Sequence, residues 1–405
     1  MTQTSVFASL ETEPADPIIQ VMQAYAADAD PNKIDVSIGV YFDENGKFVT
    51  YPSVAKAKVK LAQNDPGHNY HTMKGVPEFV AGAREVIFGK DRLQPNRIAS
   101  QQAISGSGAL HSAFNVITKQ MQRKQFYVGV PTWGNYFSMI SHVGGNPQSY
   151  QYYDDKAHQV AFSVIEETMK QAESGAVFVM QACCHNPTGA DLTQEQWQTV
   201  AKLAKERNLL LVIDIAYQGF SSGSTETDAW PVRYLFDQGL EFFVCQSFSK
   251  NMGLYGERVG CVHAVAATPA DAAAIESNLI VNFRSECSFA PAWGARVAAT
   301  IFGDEQLKKE WADDVAAITN RLHGVRQQIL ELLTTKYKTP GYWDHVTRQH
   351  GLFWHSGLEP KHIERLRTEH HVYAVPTGRV NVAGLNENNV ECFCRAVDEV
   401  VRHFL

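Results

Sequence analysis

The chain has 405 residues, 44% of them hydrophobic and 20% charged, enough to bury a large core and to divide into about two or three domains. A formal net charge of -7 argues against the clustered positive surface that nucleic acids and anionic membranes need, so a small anionic substrate would have to be met by local arginines. No apolar run is long enough to span a bilayer, and the opening MTQTSVFASLETEPADP shows no basic segment followed by an apolar one, so neither membrane insertion nor export is expected.

In chain order, the first ~45 residues are rich in Pro, Asp and Ala and cannot make a core alone, so they are expected to pack with the C-terminal part. Lys56, Lys58 and Lys60 alternate with small apolar residues and read as a solvated face. From about Tyr51 to Asp313, short apolar β-rich runs alternate with amphipathic stretches, the pattern of an α/β fold with a mostly parallel sheet flanked by helices. Predicted strands are Gln125 to Val130, Ala176 to Gln181, Leu209 to Ile213, Phe242 to Gln246 and Val259 to Val265. Thr193 and Gln196 form a capping box ahead of a helical face built from Trp197, Val200, Ala201 and Ala204.

Helical spacing from Trp311 to about Lys336 predicts a long connecting helix, and a second, smaller pattern runs from Tyr342 to Leu405. The expected division is a large domain over 46–315 and a small α/β domain made from 1–45 with 316–405. The seven cysteines, Cys183, Cys184, Cys245, Cys261, Cys287, Cys392 and Cys394, are odd in number, lie mostly in apolar runs and lack zinc-site spacing. They read as reduced core thiols of a cytoplasmic protein.

Several residues could carry chemistry. Ser105, Gly106, Ser107 and Gly108 precede a helical face of Leu110, Ala113, Phe114, Ile117 and Met121, and a helix N-terminus of small residues suits a phosphate, though a plain cap explains the same residues. A dinucleotide fingerprint fails because His111 stands where its third glycine belongs. Asp214 ends a strongly apolar run, which puts a carboxylate at a strand tip, where a pyridine nitrogen would be held protonated; an ordinary cap is the alternative. Lys250, in QSFSKNMG after Phe242, Phe243 and Val244, is open to desolvation, which favours a neutral, nucleophilic amine; the alternative is a solvated loop lysine. Arg258, with Ser247 and Ser249, could complete a phosphate site.

Two rival signals are weak. Gly219 to Gly223 matches G-x-S-x-G, but the strand stops near Asp214 and Ser224 to Asp228 reads as a loop, which does not suit a nucleophile elbow. His68 with His71, and Cys183, Cys184 and His185, lack a second ligand pair, so no metal is expected.

The strings ADP with IGVYFDENG, SGSGAL, PTWGNY, HNPTG, DIAYQGF, SFSKNMGLYGERVG and GRVNVAGL follow one another in fixed order over nearly the whole chain. Together they resemble the class I, fold-type I aminotransferases that use pyridoxal 5'-phosphate, the aspartate and aromatic amino acid group. The resemblance implies that Lys250 forms the Schiff base with the cofactor and moves the proton, and that Asp214 pairs with the pyridine nitrogen. It further implies that Tyr217 and Asn186 bond the ring hydroxyl, that Trp133 stacks on the ring, and that Ser105, Gly106, Ser107, Ser247 and Arg258 hold the phosphate. Tyr70 would reach the phosphate from a neighbouring subunit of a homodimer with shared sites. Arg379 would clamp the α-carboxylate with Gly39 closing over it, and Arg284 would meet a distal carboxylate across the dimer. Without the resemblance, Arg379 would read as a surface arginine after a Pro-Thr-Gly turn.

This chain departs from the aspartate enzymes at several positions. Phe42 stands in place of a lysine, Phe48 and Phe289 replace small polar residues, Ser107 stands where many members carry Thr, and Tyr136 replaces a histidine behind Asp214. Aromatic walls favour aromatic side chains; packing between domains is the other reading of Phe42 and Phe48. The expectation is an aromatic amino acid aminotransferase that passes the amino group of Phe, Tyr or Trp, with Asp as a further donor, to 2-oxoglutarate by ping-pong exchange. An aspartate-preferring enzyme is the alternative.

Overall fold

A computed structural model describes residues 5–12, 16–93 and 96–405. Its centre is a seven-stranded sheet with the order Ile98–Ile104, Val259–Val265, Phe242–Ser247, Leu210–Ile215, Val177–Gln181, Gln125–Val130 and Asn146–Gln151. Neighbours run parallel except Val259–Val265, which is antiparallel to both of its partners. The strands Leu210–Ile215 and Phe242–Ser247 are buried at every position. Helices cover both faces of such a sheet, which is why these segments read as unbroken apolar runs rather than as alternating ones. The two strands read at Gln125–Val130 and Val259–Val265 coincide with the structure end to end.

Local signals place the crossover helices. Thr193 and Gln196 form the reciprocal capping box that starts the helix Gln194–Glu206, whose buried residues include Trp197, Val200, Ala201 and Ala204. The long helix Glu305–Glu331 begins earlier than its apolar spacing suggests, because Asp304 caps it through Gln306 and Leu307, and a π-helical turn Leu332–Lys336 ends it. The stretch read as a loop after Gly223 contains a short helix, Thr225–Asp228, capped by Ser224. No helix start directly follows Ser221, and its amide donates to Asp228.

The N-terminal strand Ile34–Asp35 pairs in parallel with Val372–Tyr373, and Asp28 accepts hydrogen bonds from the Tyr373 hydroxyl and the His371 ring. Five of the cysteines are buried, but Cys287 and Cys392 are exposed, so the expectation of core thiols is corrected for those two; all seven are free. Lys56 and Lys60 lie on an exposed face and pair with Glu310 and Asp304. Among the described residues no helix is long and apolar enough to cross a membrane, and no group of three His, Cys, Asp or Glu side chains could hold a metal ion.

Candidate active site

The carboxyl ends of the parallel strands open into one cleft, where ligands bind in sheets of this kind. Ser105, Gly106, Ser107, Trp133, Asn186, Asp214, Tyr217, Ser247, Lys250 and Arg258 line it, together with Leu110, Tyr136, Gln181 and Ala216. Register explains the convergence: Asp214 sits opposite Gln181 on one side and Cys245 on the other, and Ser247 opposite Gly260.

Asp214 is the electrostatic centre of the cleft. Its Oδ2 accepts a short hydrogen bond from the Tyr136 hydroxyl, while its Oδ1 is buried and has no partner among the described residues. Burial pushes its carboxyl up to about 6, against the opposing effects of Tyr136 and Lys250. Tyr136 is fully buried, and burial together with the nearby Asp214 holds its phenol far above the usual range, so it stays a neutral donor. Lys250 keeps part of its surface open to the cleft, and its Nζ lies 5.1 Å from the centre of the Tyr217 ring. Desolvation brings its ammonium down to about 8, with Asp214 opposing and Arg258 and Arg379 assisting. About a tenth is therefore a free amine at pH 7, far more than for a solvated lysine.

One end of the cleft is built for an anion. The helix Ser105–Asn115 begins in the cleft, and Ser105 Oγ lies 2.8 Å from Ser249 Oγ and 3.3 Å from Ser247 Oγ. Arg258 donates to Ser107 Oγ at 3.1 Å and to the Tyr255 carbonyl at 3.0 Å. Ser105 and Arg258 both occupy the left-handed backbone region, at φ 61° and 55°, which is costly for residues with a side chain and is found at sites that over-determine it. Gly260 makes room for this turn, since a Cβ there would meet the Ser105 carbonyl oxygen at 2.5 Å. A helix start, four serine hydroxyls and a guanidinium thus gather at one end of the cleft.

Behind Asn186, a residue of the cleft wall, lies Arg379, a buried arginine. It donates to Asn186 Oδ1 at 3.3 Å and to the Ser37 carbonyl at 2.5 Å, its Nε is unpartnered, and its guanidinium lies 4.2 Å from the centre of the Phe353 ring. No carboxylate pairs with it among the described residues, so its charge is left for a ligand. Gly39 lies against the same ring, where a Cβ would meet Phe353 Cζ at 2.8 Å.

The remaining predicted residues are not gathered into this cleft by one chain. Tyr70, 79% exposed, stacks on Phe289 at 4.7 Å, and the exposed Arg284 lies 5.9 Å from the Phe289 ring centre while donating to Ser288. Phe42 is half-buried, and Phe48 is exposed and packs edge-on against Tyr255. Conversely, Leu110 and Gln181 line the cleft without having stood out in the sequence as site residues. Gln181 holds Asn186 by accepting from its amide at 2.8 Å and donating to its carbonyl at 3.2 Å. Its position at a strand end beside Asp214 was the one available signal.

The family described as aminotransferase class I and II matches residues 31–397. The chain belongs to that family. The mitochondrial aspartate aminotransferase of Dictyostelium discoideum is 37% identical over 403 residues, covering 99% of this chain and 94% of the relative. The solved structure of the cytoplasmic aspartate aminotransferase of Saccharomyces cerevisiae is 37% identical with a TM-score of 0.95, covering 99% of each chain. The aromatic-amino-acid aminotransferase of Burkholderia pseudomallei, solved with pyridoxal phosphate covalently bound, is 32% identical with a TM-score of 0.96, covering 98% of this chain and 100% of that one. This protein is accordingly a fold-type I, pyridoxal phosphate-dependent transaminase, and its substrates are amino acids and 2-oxo acids.

The cleft fits that cofactor by its own chemistry. The bare Asp214 Oδ1 is a buried acceptor awaiting a cationic N–H, and the anion site lines the same cleft. When bound, pyridoxal phosphate supplies an aldehyde for amines and a ring that takes up the electron pair left by the departing α-proton.

A first prediction concerns Tyr136. Tyr136→Phe removes the neutral donor from Asp214 Oδ2 and should drive the carboxyl pKa further above its value of about 6. Cofactor affinity, titrated on the cofactor-free protein at neutral pH, should fall by roughly tenfold or more, since a hydrogen bond to a charged group is lost inside the fold. An unchanged affinity would show that the bond contributes nothing to holding Asp214 ionised.

Proposed function

We propose that the protein is an aromatic amino acid aminotransferase, moving the amino group of Phe, Tyr or Trp, and also of Asp, to 2-oxoglutarate by ping-pong exchange. In this reading Asp214 keeps the ring nitrogen protonated, Tyr217 and Asn186 bond the ring hydroxyl, and Trp133 covers the ring face. Ser105, Gly106, Ser107, Ser247 and Arg258 hold the phosphate, Arg379 binds the α-carboxylate, and the Lys250 amine carries the proton from substrate to cofactor. The body over 46–315 would hold the cofactor, and 1–45 with 316–405 would form the smaller domain bearing Arg379.

The observation that carries the specificity is the surface cluster of Tyr70, Phe289 and Arg284. Its cation lies beside an aromatic ring and has no carboxylate partner among the described residues. In a homodimer with shared sites this cluster would complete the partner's pocket, offering ring faces to an aromatic side chain and a guanidinium to an acidic one. The names of the two aspartate aminotransferase relatives favour the second reading, an aspartate-preferring enzyme. A cytoplasmic setting is part of the proposal, supported by seven free thiols.

Arg284→Leu tests the specificity. With aspartate as donor, kcat/KM should fall by about 100-fold, because a desolvated carboxylate loses its charge partner; with phenylalanine the change should stay within about threefold. Equal losses for both donors would remove Arg284 from side-chain recognition. A preference of the unsubstituted enzyme for aspartate by a hundredfold or more would establish the second reading.

A further inference from the structure

The segment Ser37 to Asp43 forms a strap beside Arg379 and Phe353, held almost entirely by side chains from the C-terminal part. Arg379 donates to the Ser37 carbonyl, Asn381 to the Ile38 and Val40 carbonyls at 2.6 and 2.8 Å, and Arg321 to the Asp43 carbonyl at 3.0 Å. Among the described residues, one hydrogen bond ties the strap to the segment that carries Lys250. The Tyr41 amide donates to the Tyr255 hydroxyl at 2.9 Å.

Tyr255 is well placed to transmit position. Its backbone carbonyl accepts from Arg258, the guanidinium of the anion site, so one residue touches the anion anchor through its main chain and the strap through its side chain. The phenol is held neutral, since burial keeps it above its usual range. Tyr51 reinforces the joint: its hydroxyl donates to the Lys250 carbonyl at 2.7 Å, and its ring meets Tyr41 edge-on at 6.1 Å.

We infer that Tyr255 is a positioning residue that fixes the strap, and with it Gly39 beside Arg379, in register with Lys250 and the anion site, so that its hydroxyl governs how well the substrate is seated rather than the chemical step. This inference rests on the aminotransferase reading of the cleft given above.

The test is Tyr255→Phe in the holoenzyme, which keeps the ring and removes the acceptor from the Tyr41 amide. KM for the amino acid should rise by about tenfold, the effect of one unsatisfied backbone donor, while kcat stays within about twofold. The pH titration of the visible cofactor band should not move, and hydrogen exchange at the Tyr41 amide should accelerate. A lower melting temperature with KM unchanged would make Tyr255 a packing residue and overturn the inference, as would a fall in kcat at constant KM. Should the variant fail to fold, exchange at the Tyr41 amide is read in the unsubstituted holoenzyme with and without 3-phenylpropionate. Slowing by the analogue supports the registered strap, and an amide that exchanges freely in both states overturns it. Assaying the unsubstituted holoenzyme with phenylalanine and with aspartate distinguishes the two failures, because a wrong substrate reading shows there before any substitution is made.

Discussion

Lys250→Ala is expected to lower kcat by about 1,000-fold or more, since proton transfer by a positioned side chain and covalent capture of the cofactor are both lost with one nitrogen. Among the described residues the cleft offers no second amine. Arg258 and Arg379, the other cations near Lys250, carry guanidinium groups, which lack the free amine that captures an aldehyde. Pyridoxal phosphate should still bind to the variant through the anion site and Asp214, but borohydride should no longer fix it to the protein. In the unsubstituted, cofactor-free protein the amine is the reactive form. The rate of cofactor capture should therefore climb with pH until it levels off near the lysine pKa of about 8. Asp214 adds a lower limit, because its carboxyl gains a proton as pH falls through about 6 and can then no longer pair with a protonated ring nitrogen. Near-normal turnover by the alanine variant, or a borohydride label on another residue, would end the assignment.

Replacing Arg379 with Leu should reduce kcat/KM by about 100- to 1,000-fold for aromatic and acidic donors alike, the effect of removing one partner of a desolvated charge pair. If Arg379 binds the α-carboxylate as proposed, every α-amino acid presents the same group to it, so the losses should be parallel, unlike those from Arg284→Leu. Arg379 is held in place without any acidic partner, between the Asn186 side chain, the Ser37 carbonyl and the face of Phe353. A bidentate ligand would therefore meet a guanidinium whose orientation is already fixed, so little entropy is lost on binding. Steady-state assays with phenylalanine and aspartate decide the matter; a loss confined to one donor would place the common clamp elsewhere.

What could be read from the sequence follows from where hydrogen bonds go. Buried strands whose side chains are nearly all apolar, such as Leu210–Ile215, stand out as apolar runs. Ile98–Ile104 escaped notice because its sequence, IASQQAI, is polar in the middle, yet Ser100 lies 2.8 Å from His263 Nδ1, and Gln102 donates to the Pro291 carbonyl and accepts from the Val76 amide. Asn146–Gln151 was missed for the opposite reason: it is an edge strand, mostly exposed, and carries no apolar face to betray it.

The cleft shows the same division. Asp214 and Lys250 were visible because each interrupts or follows an apolar run, which is a local signal. Tyr255 acts on a backbone amide far away in sequence, and Gln181 on the backbone of Asn186 across a nearby loop, and no local pattern marks either of them. Tyr70 joins Arg284 and Phe289 only through the fold, from a distant part of the chain.

The reversed strand of the sheet has its own consequence. Because Val259–Val265 runs against its neighbours, the residue that enters it, Arg258, emerges at the edge where the parallel strands leave Asp214 and Ser247. Turned the other way, that strand would bring Ala266 to this rim and strand the cation on the far side of the molecule, leaving a bound phosphate to neutral donors alone. A single inverted segment thus delivers the positive charge that a wholly parallel layout would have misdirected.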